Sequence, residues 1–407
     1  MNIENRTALI PAPSWRDRFL RKAALRIFPE IRWGQLTIAL PSGDVIVHGQ
    51  QGSGPSVHVT IHRWRALWKI ALHGDNGFAA AHENGDITTP DLLPLFELAL
   101  DNRKVIDHSI PPSRIGLLIG RLQHGLRHNS RRGSRRNIMA HYDLGNSFYS
   151  AWLDDSMSYS SAIYGEKDMT LEDAQTAKIK RIATLLSPQP RDRVLEIGCG
   201  WGALMQELLR RRGCDVTGIT LSHEQAAYAE QRLAQDVAKN KARIRLQDYR
   251  DCVDRYDHIV SVEMIEAVGE AYWPTYFATL HRCLQKGGTA VIQAITIAED
   301  RFEAYQREPD FIQQRIFPGG MLPTVALIQK HAREAGLRLT HQEFFGESYA
   351  RTLAEWRRRF HQAWPKIQPL GFDARFRRLW DYYLAYCEAG FRHKATDVGL
   401  YVLQRET

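Results

Sequence analysis

The stretch RVLEIGCGWGAL, residues 193–204, decides the fold of this chain. A short apolar run leads into three glycines, Gly198, Gly200 and Gly202, and a helical pattern begins directly afterwards. Glycines in this place let the backbone turn tightly and approach a ligand at the carboxyl end of a strand. The spacing differs from the dinucleotide pattern G-x-G-x-x-G. Glu196, two residues before the first glycine, is typical of S-adenosylmethionine sites, so the stretch predicts a site for that cofactor.

Strands and helices alternate through the rest of the C-terminal region. The strand candidates are RVLEIG, DVTGIT, ARIRLQD, YDHIVSVE and TAVIQAITI, with LRLTHQEFF and GLYVLQR completing the sheet. Amphipathic segments between them predict helices on both faces of a mostly parallel sheet. Two helices rich in rings and arginine, 351–366 and 373–392, precede the last strand. We expect an α/β, Rossmann-like domain of the class I S-adenosylmethionine-dependent methyltransferase type.

Further cofactor contacts are expected where the second and third strands end, because ligands bind at the carboxyl ends of parallel strands. The second strand runs into GITLSHEQ, which has no acid at its tip, so Thr220 and Gln225 are predicted to hold the ribose by hydrogen bonds. The third ends in LQDYRD. There Asp248 is predicted to reach the adenine amino group and Tyr249 to cover the face of the ring.

The N-terminal region reads as a separate small α+β domain. WGQLTIAL, DVIVHG and SVHVTIH alternate as strands, and WRALWKIALH and DLLPLFELAL are helical patterns. An arginine-rich stretch then separates the two regions, either as a solvated tether or as a contact for lipid phosphates. The predicted division is a domain over 1–126, a basic linker over 127–136 and the cofactor domain over 137–407.

Composition narrows the class of protein. The chain has 407 residues, five scattered cysteines and no run of about 18 apolar residues, so we expect a cytoplasmic protein without a disulfide framework, a membrane span or a metal site. The formal net charge of +8 favours anionic partners such as nucleic acid, an anionic membrane surface or acidic substrates.

Several motifs in one order resemble a known family. GCGWG, TGITLS-x-EQ, YRD, EMIEAVG, IFPGGMLP and HYDLGN together resemble cyclopropane-fatty-acyl-phospholipid synthases and the related mycolic acid cyclopropane synthases. GDNGFAAAHENGDITTPDL resembles that family's lipid-associated N-terminal domain, with Ala80 and Asn84 in place of its usual acids. The resemblance implies transfer of the methyl group of S-adenosylmethionine to a cis double bond of a phospholipid acyl chain. A carbocation forms, and a bound bicarbonate assists loss of a proton as the ring closes.

The resemblance also implies site residues. It adds Tyr159 and Ser160, in the segment MSYSSAIY, to the cofactor contacts. It places the bicarbonate cage at Glu266, Tyr349, Gln293 and Ser161, the last acting through its backbone amide, and some schemes add Cys387. Gln293 and Ser161 depart from the commonest pattern, which has histidine and cysteine. A glutamine does not titrate, so position 293 can orient an anion but cannot relay a proton.

The product and the surroundings of the reaction stay open at this point. Proton loss from a neighbouring carbon would give a methylene- or methyl-branched chain, and methylation of a soluble small molecule is a further alternative. Tyr159, Tyr164, Phe317 and the rings of 376–391 are candidates to stabilise the cation. The 351–392 helices are expected to form pocket walls and membrane contacts. We expect peripheral association with the inner face of the membrane and no nucleic-acid partner; a homodimer is compatible with the resemblance.

Overall fold

The computed structural model describes residues 22–109, apart from 23, 26 and 29, and residues 144–406. The chain divides into two compact units, residues 1–117 and 118–407. The predicted basic linker over 127–136 lies outside the described residues, so its boundaries stay a prediction. Each unit is considered by itself below.

The N-terminal unit is a four-stranded mixed sheet with helices, in the order β2-β1-β3-β4. β1 pairs with β2 antiparallel and with β3 parallel. Alternate residues of β1 and β3, such as Ile38 and Val59, are buried beneath the helices, as the period of two predicts. The elements are β1 (Gln35–Ala39), β2 (Val45–Gly49), β3 (Ser56–Ile61), α1 (Arg65–Glu83), β4 (Ile87–Thr88), α2 (Leu92–Asp101) and α3 (Arg103–Ser109).

A buried carboxylate joins the first helix of this unit to the strand that follows it. Asp86 is fully buried, and its oxygens accept hydrogen bonds from Arg65 and Lys69 at 2.7–2.9 Å, with Arg63 at 3.3 Å. These cations hold the pKa of Asp86 below its ordinary value even though burial opposes them. The cluster explains the basic residues around WRALWKIALH as partners of one acid.

The C-terminal unit is built on a seven-stranded sheet in the order β10-β11-β9-β8-β5-β6-β7. The five strands from β9 to β7 are parallel, and β11 is inserted antiparallel between β9 and β10. The strands are β5 (Arg193–Ile197), β6 (Asp215–Thr220), β7 (Ala242–Leu246), β8 (Tyr256–Val262), β9 (Leu284–Ile297), β10 (Leu337–Phe344) and β11 (Thr396–Arg405). The class I methyltransferase-type sheet that the sequence predicted is confirmed.

Helices cover both faces of that sheet. Neighbouring strand residues point to opposite sides, so that Val194 packs into one hydrophobic cluster and Leu195 into the other. The helices are α4 (Asn146–Ser150), α5 (Leu171–Leu186), α6 (Ala203–Arg212), α7 (His223–Arg232), α8 (Ala234–Ala238), α9 (Trp273–Cys283), α10 (Glu299–Arg307), α11 (Val325–Glu334), α12 (Gly346–Ile367) and α13 (Ala374–Arg392). In the described part of the chain, no helix is long and apolar enough to span a membrane.

Helices α12 and α13 form where the sequence predicted two helices and pack against each other as a cap, but the rings expected to make membrane contacts are not exposed. The tryptophans and tyrosines of the pair are almost completely buried: Trp356, Trp364, Trp380, Tyr382 and Tyr383. The arginines are engaged as well, because Arg357 pairs with Asp381 and Arg359 with Glu172. These residues stabilise the cap, which leaves the wall of an apolar pocket as their remaining predicted role.

Candidate active site

One cavity opens where the parallel strands β5, β6, β7 and β8 end. Nine of the ten residues predicted to contact the cofactor line it: Tyr159, Ser160, Glu196, Gly198, Gly200, Thr220, Gln225, Asp248 and Tyr249. The cavity lies beside β5 at the place where the strand order reverses, which is where ligands bind in open α/β sheets. The fold therefore brings together residues up to 90 positions apart in the sequence, from Tyr159 to Tyr249.

The glycine-rich turn has the backbone geometry that only glycine adopts without strain. Gly198 and Gly200 have φ values of +78° and +51°. A Cβ on Gly198 would lie 3.2 Å from the Cγ of Met264, at the edge of the cavity. Gly202, the tenth predicted contact, does not line the cavity. It precedes α6 with φ +84°, where a Cβ would crowd Ala229, so its role is helix packing.

A buried acid and a buried base face this cavity together. Burial raises the pKa of Glu196 to about 8 and lowers that of Lys178 to about 8, and the charge of each opposes the shift of the other. Nζ of Lys178 donates to Oγ of Ser160 at 2.7 Å. Oε2 of Glu196 is buried without a partner in the described part of the chain. An acid in this state fits a cationic amino group in the cavity, such as that of a bound S-adenosylmethionine.

The predicted ribose and adenine contacts lie in the cavity with partners of their own. Thr220 donates its hydroxyl to Oε1 of Gln225 at 2.8 Å, so the two act as one unit. Asp248 caps the turn after β7 and holds the guanidinium of Arg250 through two hydrogen bonds of 2.6 and 2.9 Å. The adenine contact of Asp248 stays a prediction, and Arg250 is a partner that the sequence did not suggest.

Three successive residues of the segment MSYSSAIY, namely Tyr159, Ser160 and Ser161, make different contacts. The Tyr159 ring packs against Trp152, Trp356 and Tyr149, and its hydroxyl meets that of Tyr383 at 2.9 Å. Ser160 accepts from Lys178, whereas Ser161 is fully buried and points its backbone N–H elsewhere. The serine hydroxyl of Ser161 donates to the carbonyl of Ala162, so only its amide is directed at the site.

Three of the predicted cage residues, Ser161, Gln293 and Tyr349, donate hydrogen bonds to one carboxylate, that of Glu263. Oε1 of Glu263 accepts the amide of Ser161 at 2.8 Å and Nε2 of Gln293 at 2.7 Å. Oε2 accepts the hydroxyl of Tyr349 at 2.7 Å. Glu263 follows β8 directly, and Val262 is paired in register with Gln293 on β9, so the sheet itself sets the contact between Glu263 and Gln293. Glu263 also lines the cofactor cavity.

Glu266, the acid that the resemblance placed in the cage, has a different hydrogen-bond partner. Oε1 of Glu266 accepts the backbone N–H of Ile295 at 2.6 Å, and Oε2 is buried with no partner among the described residues. Burial, followed by the charge of Glu263, raises the pKa of Glu266 to about 8. Burial raises the pKa of Glu263 above its ordinary value too, although its three donors and the charge of Lys178 oppose the shift. The three donors that converge on Glu263 favour its ionised form, whereas Glu266 accepts one hydrogen bond and its pKa of about 8 favours the protonated form at neutral pH.

Two other candidates lie apart from the cage. Cys387 is on α13, and burial raises the pKa of its thiol, so it stays protonated and makes no hydrogen bond to Glu263 in the structure. Tyr164 has the guanidinium of Arg351 over one face of its ring, 3.9 Å from the centroid, and it does not line the cofactor cavity. Phe317 does contact Tyr383, at 6.1 Å between centroids, and belongs to the aromatic wall.

Sequence reasoning missed Glu263 and Lys178. A signal for Glu263 was present, because it is a charged residue at the carboxyl end of a predicted parallel strand, in EMIEAVG. The resemblance pointed to Glu266, the second acid of that motif, and not to Glu263, the first. Lys178 gave no such signal, since it lies within an ordinary amphipathic helix and only the tertiary structure turns it toward the cavity.

Comparison with known proteins agrees with this geometry. Residues 129–400 match the family model described as mycolic acid cyclopropane synthetase. The chain belongs to this family. The family's motif order, the sheet and the cofactor cavity are consistent with it, and the chain is an enzyme, an S-adenosylmethionine-dependent methyltransferase.

Individual relatives show how similar this chain is to known proteins. A tuberculostearic acid methyltransferase of Mycobacterium tuberculosis is 39% identical over 85% of this chain and 83% of its own. A cyclopropane-fatty-acyl-phospholipid synthase of Escherichia coli is 40% identical over 64% of this chain, and the match spans 65% of that protein. The crystal structure of mycolic acid cyclopropane synthase CmaA1, complexed with SAH and CTAB, is 31% identical with a TM-score of 0.63, covering 67% of this chain and 98% of that one.

Proposed function

We propose that this enzyme transfers the methyl group of S-adenosylmethionine to the cis double bond of an unsaturated acyl chain in a membrane phospholipid and closes a cyclopropane ring. The observation that supports this best is the position of the Glu263 carboxylate. It lines the cofactor cavity together with Tyr159 and accepts a hydrogen bond from Tyr349, and the rings of both tyrosines contact Trp356. A methyl donor, an acceptor for a proton and an aromatic wall are the groups that methylation of an alkene requires.

The chain's own residues set up the reaction in two ways. When bound, S-adenosylmethionine supplies an electrophilic methyl group at the carboxyl ends of the strands. The glycine turn, Glu196 and the Thr220–Gln225 pair orient it, which can remove several kcal/mol of entropic barrier, since an isolated alkene is a weak nucleophile. The ring of Tyr159, which lines the cavity, stabilises positive charge on the acyl chain without forming a bond to it.

The bicarbonate that the resemblance implies does not fit the cage as it stands. Its expected donors are the amide of Ser161, Gln293 and Tyr349, and all three already donate to Glu263. The side chain of Glu263 fills the position that an exogenous anion would need. No step of the proposed reaction is therefore assigned to bicarbonate.

The second candidate is methylation that gives a methylene- or methyl-branched acyl chain. The relative that covers most of this chain among those described above is named as a methyltransferase and not as a cyclopropane synthase, which favours this alternative. The two products share every step up to the cation on the acyl chain. They differ in which carbon loses its proton, and therefore in where the base lies relative to the chain.

Analysis of lipids after expression in a host without such enzymes tests the proposal. We expect acyl chains heavier by one CH2 group, and NMR of the purified lipid distinguishes ring methylene protons from a branch. The matched control is Gly198→Val, because a β-branched side chain at φ +78° removes the cofactor turn. Unchanged acyl chains with a folded, cofactor-binding enzyme would refute the function; a branched product would refute ring closure alone.

Access to the substrate is proposed to occur at the cytoplasmic, inner face of an anionic membrane. Support comes from the net charge of +8 and from Trp33 and Trp68 of the N-terminal unit, which are 54% and 58% exposed. Tryptophan is enriched at membrane interfaces. Flotation with vesicles of phosphatidylglycerol, compared with phosphatidylcholine vesicles and with Trp33→Ser/Trp68→Ser, checks this: we expect binding to the anionic vesicles only, weakened by the substitutions. A homodimer stays a prediction that sedimentation can check.

A further inference from the structure

The carboxylate of Glu263 occupies the centre of the site where the resemblance implies a bound anion. Three donors from three distant segments converge on one carboxylate: the loop before α5, strand β9 and the first turn of α12. None of these donors lies near Glu263 in the sequence, so the arrangement is not a local turn or cap. A site with this donor set and no side chain at position 263 would hold a small carboxylate-like anion.

The backbone at position 263 supports the same conclusion. Glu263 has φ +47°, in the left-handed region that favours glycine, and it is one of six described non-glycine residues with positive φ. Its backbone N–H donates to the carbonyl of Gln293 at 2.8 Å, which fixes the conformation. A bulky residue in this region costs about 1 kcal/mol or more and is found where the surrounding structure or function requires it. The strained backbone points the carboxylate into the cage.

The count of lone pairs leaves Glu263 able to accept a proton. An ionised carboxylate has about four acceptor sites on its two oxygens. Oε1 takes two donors, from Ser161 and Gln293, whereas Oε2 takes one, from Tyr349. Tyr349 remains a donor, because burial and the charge of Glu263 raise its pKa well above the ordinary value. One acceptor site on Oε2 therefore has no donor among the described residues, and Glu263 lines the cavity.

We propose that Glu263 is the general base of this enzyme and replaces dissolved bicarbonate, an inference that rests on the methyl transfer proposed above. The π electrons of the alkene form the new carbon–carbon bond as the sulfonium–methyl bond breaks, and the electrons of that broken bond stay on sulfur. A cationic carbon is left in the acyl chain. A C–H bond of the new methyl group then supplies its electrons to close the ring, and the proton passes to Oε2 of Glu263. Glu263 returns that proton to solvent through the cavity.

The wild-type enzyme provides the first test. Methyl transfer from labelled S-adenosylmethionine to vesicles of unsaturated phospholipid is measured in carbon-dioxide-free buffer, with and without added sodium bicarbonate. We expect the same turnover in both. A turnover that depends on bicarbonate would overturn the inference and leave the proposed function standing, whereas no methyl transfer under either condition would refute the function itself.

Two variants at position 263 separate the carboxylate from the space it fills. Glu263→Gln keeps the shape but cannot take a proton, so we expect kcat to fall about 100-fold or more, with no effect of bicarbonate. Glu263→Gly removes the side chain and suits the positive φ, so the fold persists. We expect a similar loss in carbon-dioxide-free buffer and partial recovery with bicarbonate or formate, because the donors then face an empty space.

Matched measurements keep these outcomes interpretable. Glu270→Gln, in the next turn of the same segment and hydrogen-bonded to Gln306, is the control and should retain wild-type turnover. Binding of S-adenosylhomocysteine and the melting temperature establish that each variant is folded. If either variant at 263 keeps most of its kcat without bicarbonate, Glu263 is not the base. If Glu263→Gly binds S-adenosylhomocysteine normally and no anion restores it, the space is not an anion site and the inference fails.

Discussion

The cofactor cavity and the carboxylate cage lie side by side, yet they are built in different ways. The cavity takes its shape from turns that follow strands, so that each wall is a short contiguous segment such as 196–200 or 247–250. The cage has one residue from each of four segments, held together by hydrogen bonds to Glu263. Backbone conformation determines the first site and side-chain electrostatics the second. Substitutions should therefore affect binding in the cavity and chemistry in the cage.

The largest effect that sharpens this comparison is expected at Tyr349. Tyr349→Phe removes one donor to a partly buried carboxylate, which is worth about 1.5–3 kcal/mol, or about 10- to 100-fold. We expect this loss in kcat while KM for S-adenosylmethionine stays near wild type, as steady-state kinetics would show. Tyr386→Phe, which removes a half-buried hydroxyl on α13 that donates to Asp310, is the control. A change in cofactor KM with unchanged kcat would contradict the view that the cage serves chemistry and the cavity serves binding.

The cavity should give the opposite pattern. Gly198→Ala forces a side chain into φ +78° and brings its Cβ 3.2 Å from Met264, at a cost of about 1–2 kcal/mol. We expect the Kd for S-adenosylhomocysteine, measured by calorimetry, to rise about 10-fold with a smaller change in kcat. Gly200→Ala is the matched control, because a Cβ there meets nothing within 4 Å. Equal effects from the two substitutions would show that the contact with Met264 is unimportant.

A smaller effect distinguishes the two acids of the cage region by pH. The pKa of Glu266 is raised from 4.5 to about 8, so the native state holds a proton there that the unfolded chain releases above its own pKa. Its contribution to stability is therefore full below about pH 4.5 and is lost as the pH rises toward 8. Glu266→Gln cannot ionise, so its melting temperature should gain on wild type steadily over that window. A constant difference between the two would contradict the raised pKa.

The smallest effect is expected at Ser161. Ser161→Cys keeps the amide that donates to Glu263 and weakens only the hydroxyl contact to Ala162, so kcat should fall no more than about fivefold. Ser160→Cys is the comparison, because it replaces the acceptor of the buried Lys178 and should raise KM for the cofactor. A severe loss of kcat in Ser161→Cys would show that the hydroxyl itself takes part in the cage.

The same contrast explains how far the sequence could be interpreted. Seven of the nine cofactor residues that line the cavity were predictable because glycines and polar residues at the ends of strands are local signals; Tyr159 and Ser160 were implied only by the resemblance. Ser161, Gln293 and Tyr349, which the resemblance placed in one cage, do meet, but at Glu263, which the sequence did not single out; the role of Glu266 in the cage stays a prediction. Glu263 and Glu266 are both glutamates and lie three residues apart in one motif, so the sequence alone does not distinguish them. Only burial and hydrogen-bond partners, which depend on the tertiary structure, tell them apart.

The cap illustrates a second limit of sequence interpretation. A sequence rich in rings and arginines on α12 and α13 is compatible with two arrangements. The side chains can face lipid, or they can pack against each other. Trp356 and Trp380 are buried against other rings, and Arg357 is paired with an acid on the neighbouring helix. Helix periodicity predicted both helices correctly, but it does not say which neighbour each face has.

The left-handed backbone of Glu263 has a genetic consequence. Glutamate and glycine codons differ by a single base, and glycine is the residue that this conformation accepts most easily. One point mutation could therefore exchange a built-in carboxylate for an open anion site without disturbing the neighbouring strand. If the inference about Glu263 holds, lineages of such enzymes can move between independence from ambient carbon dioxide and reliance on it in a single mutational step.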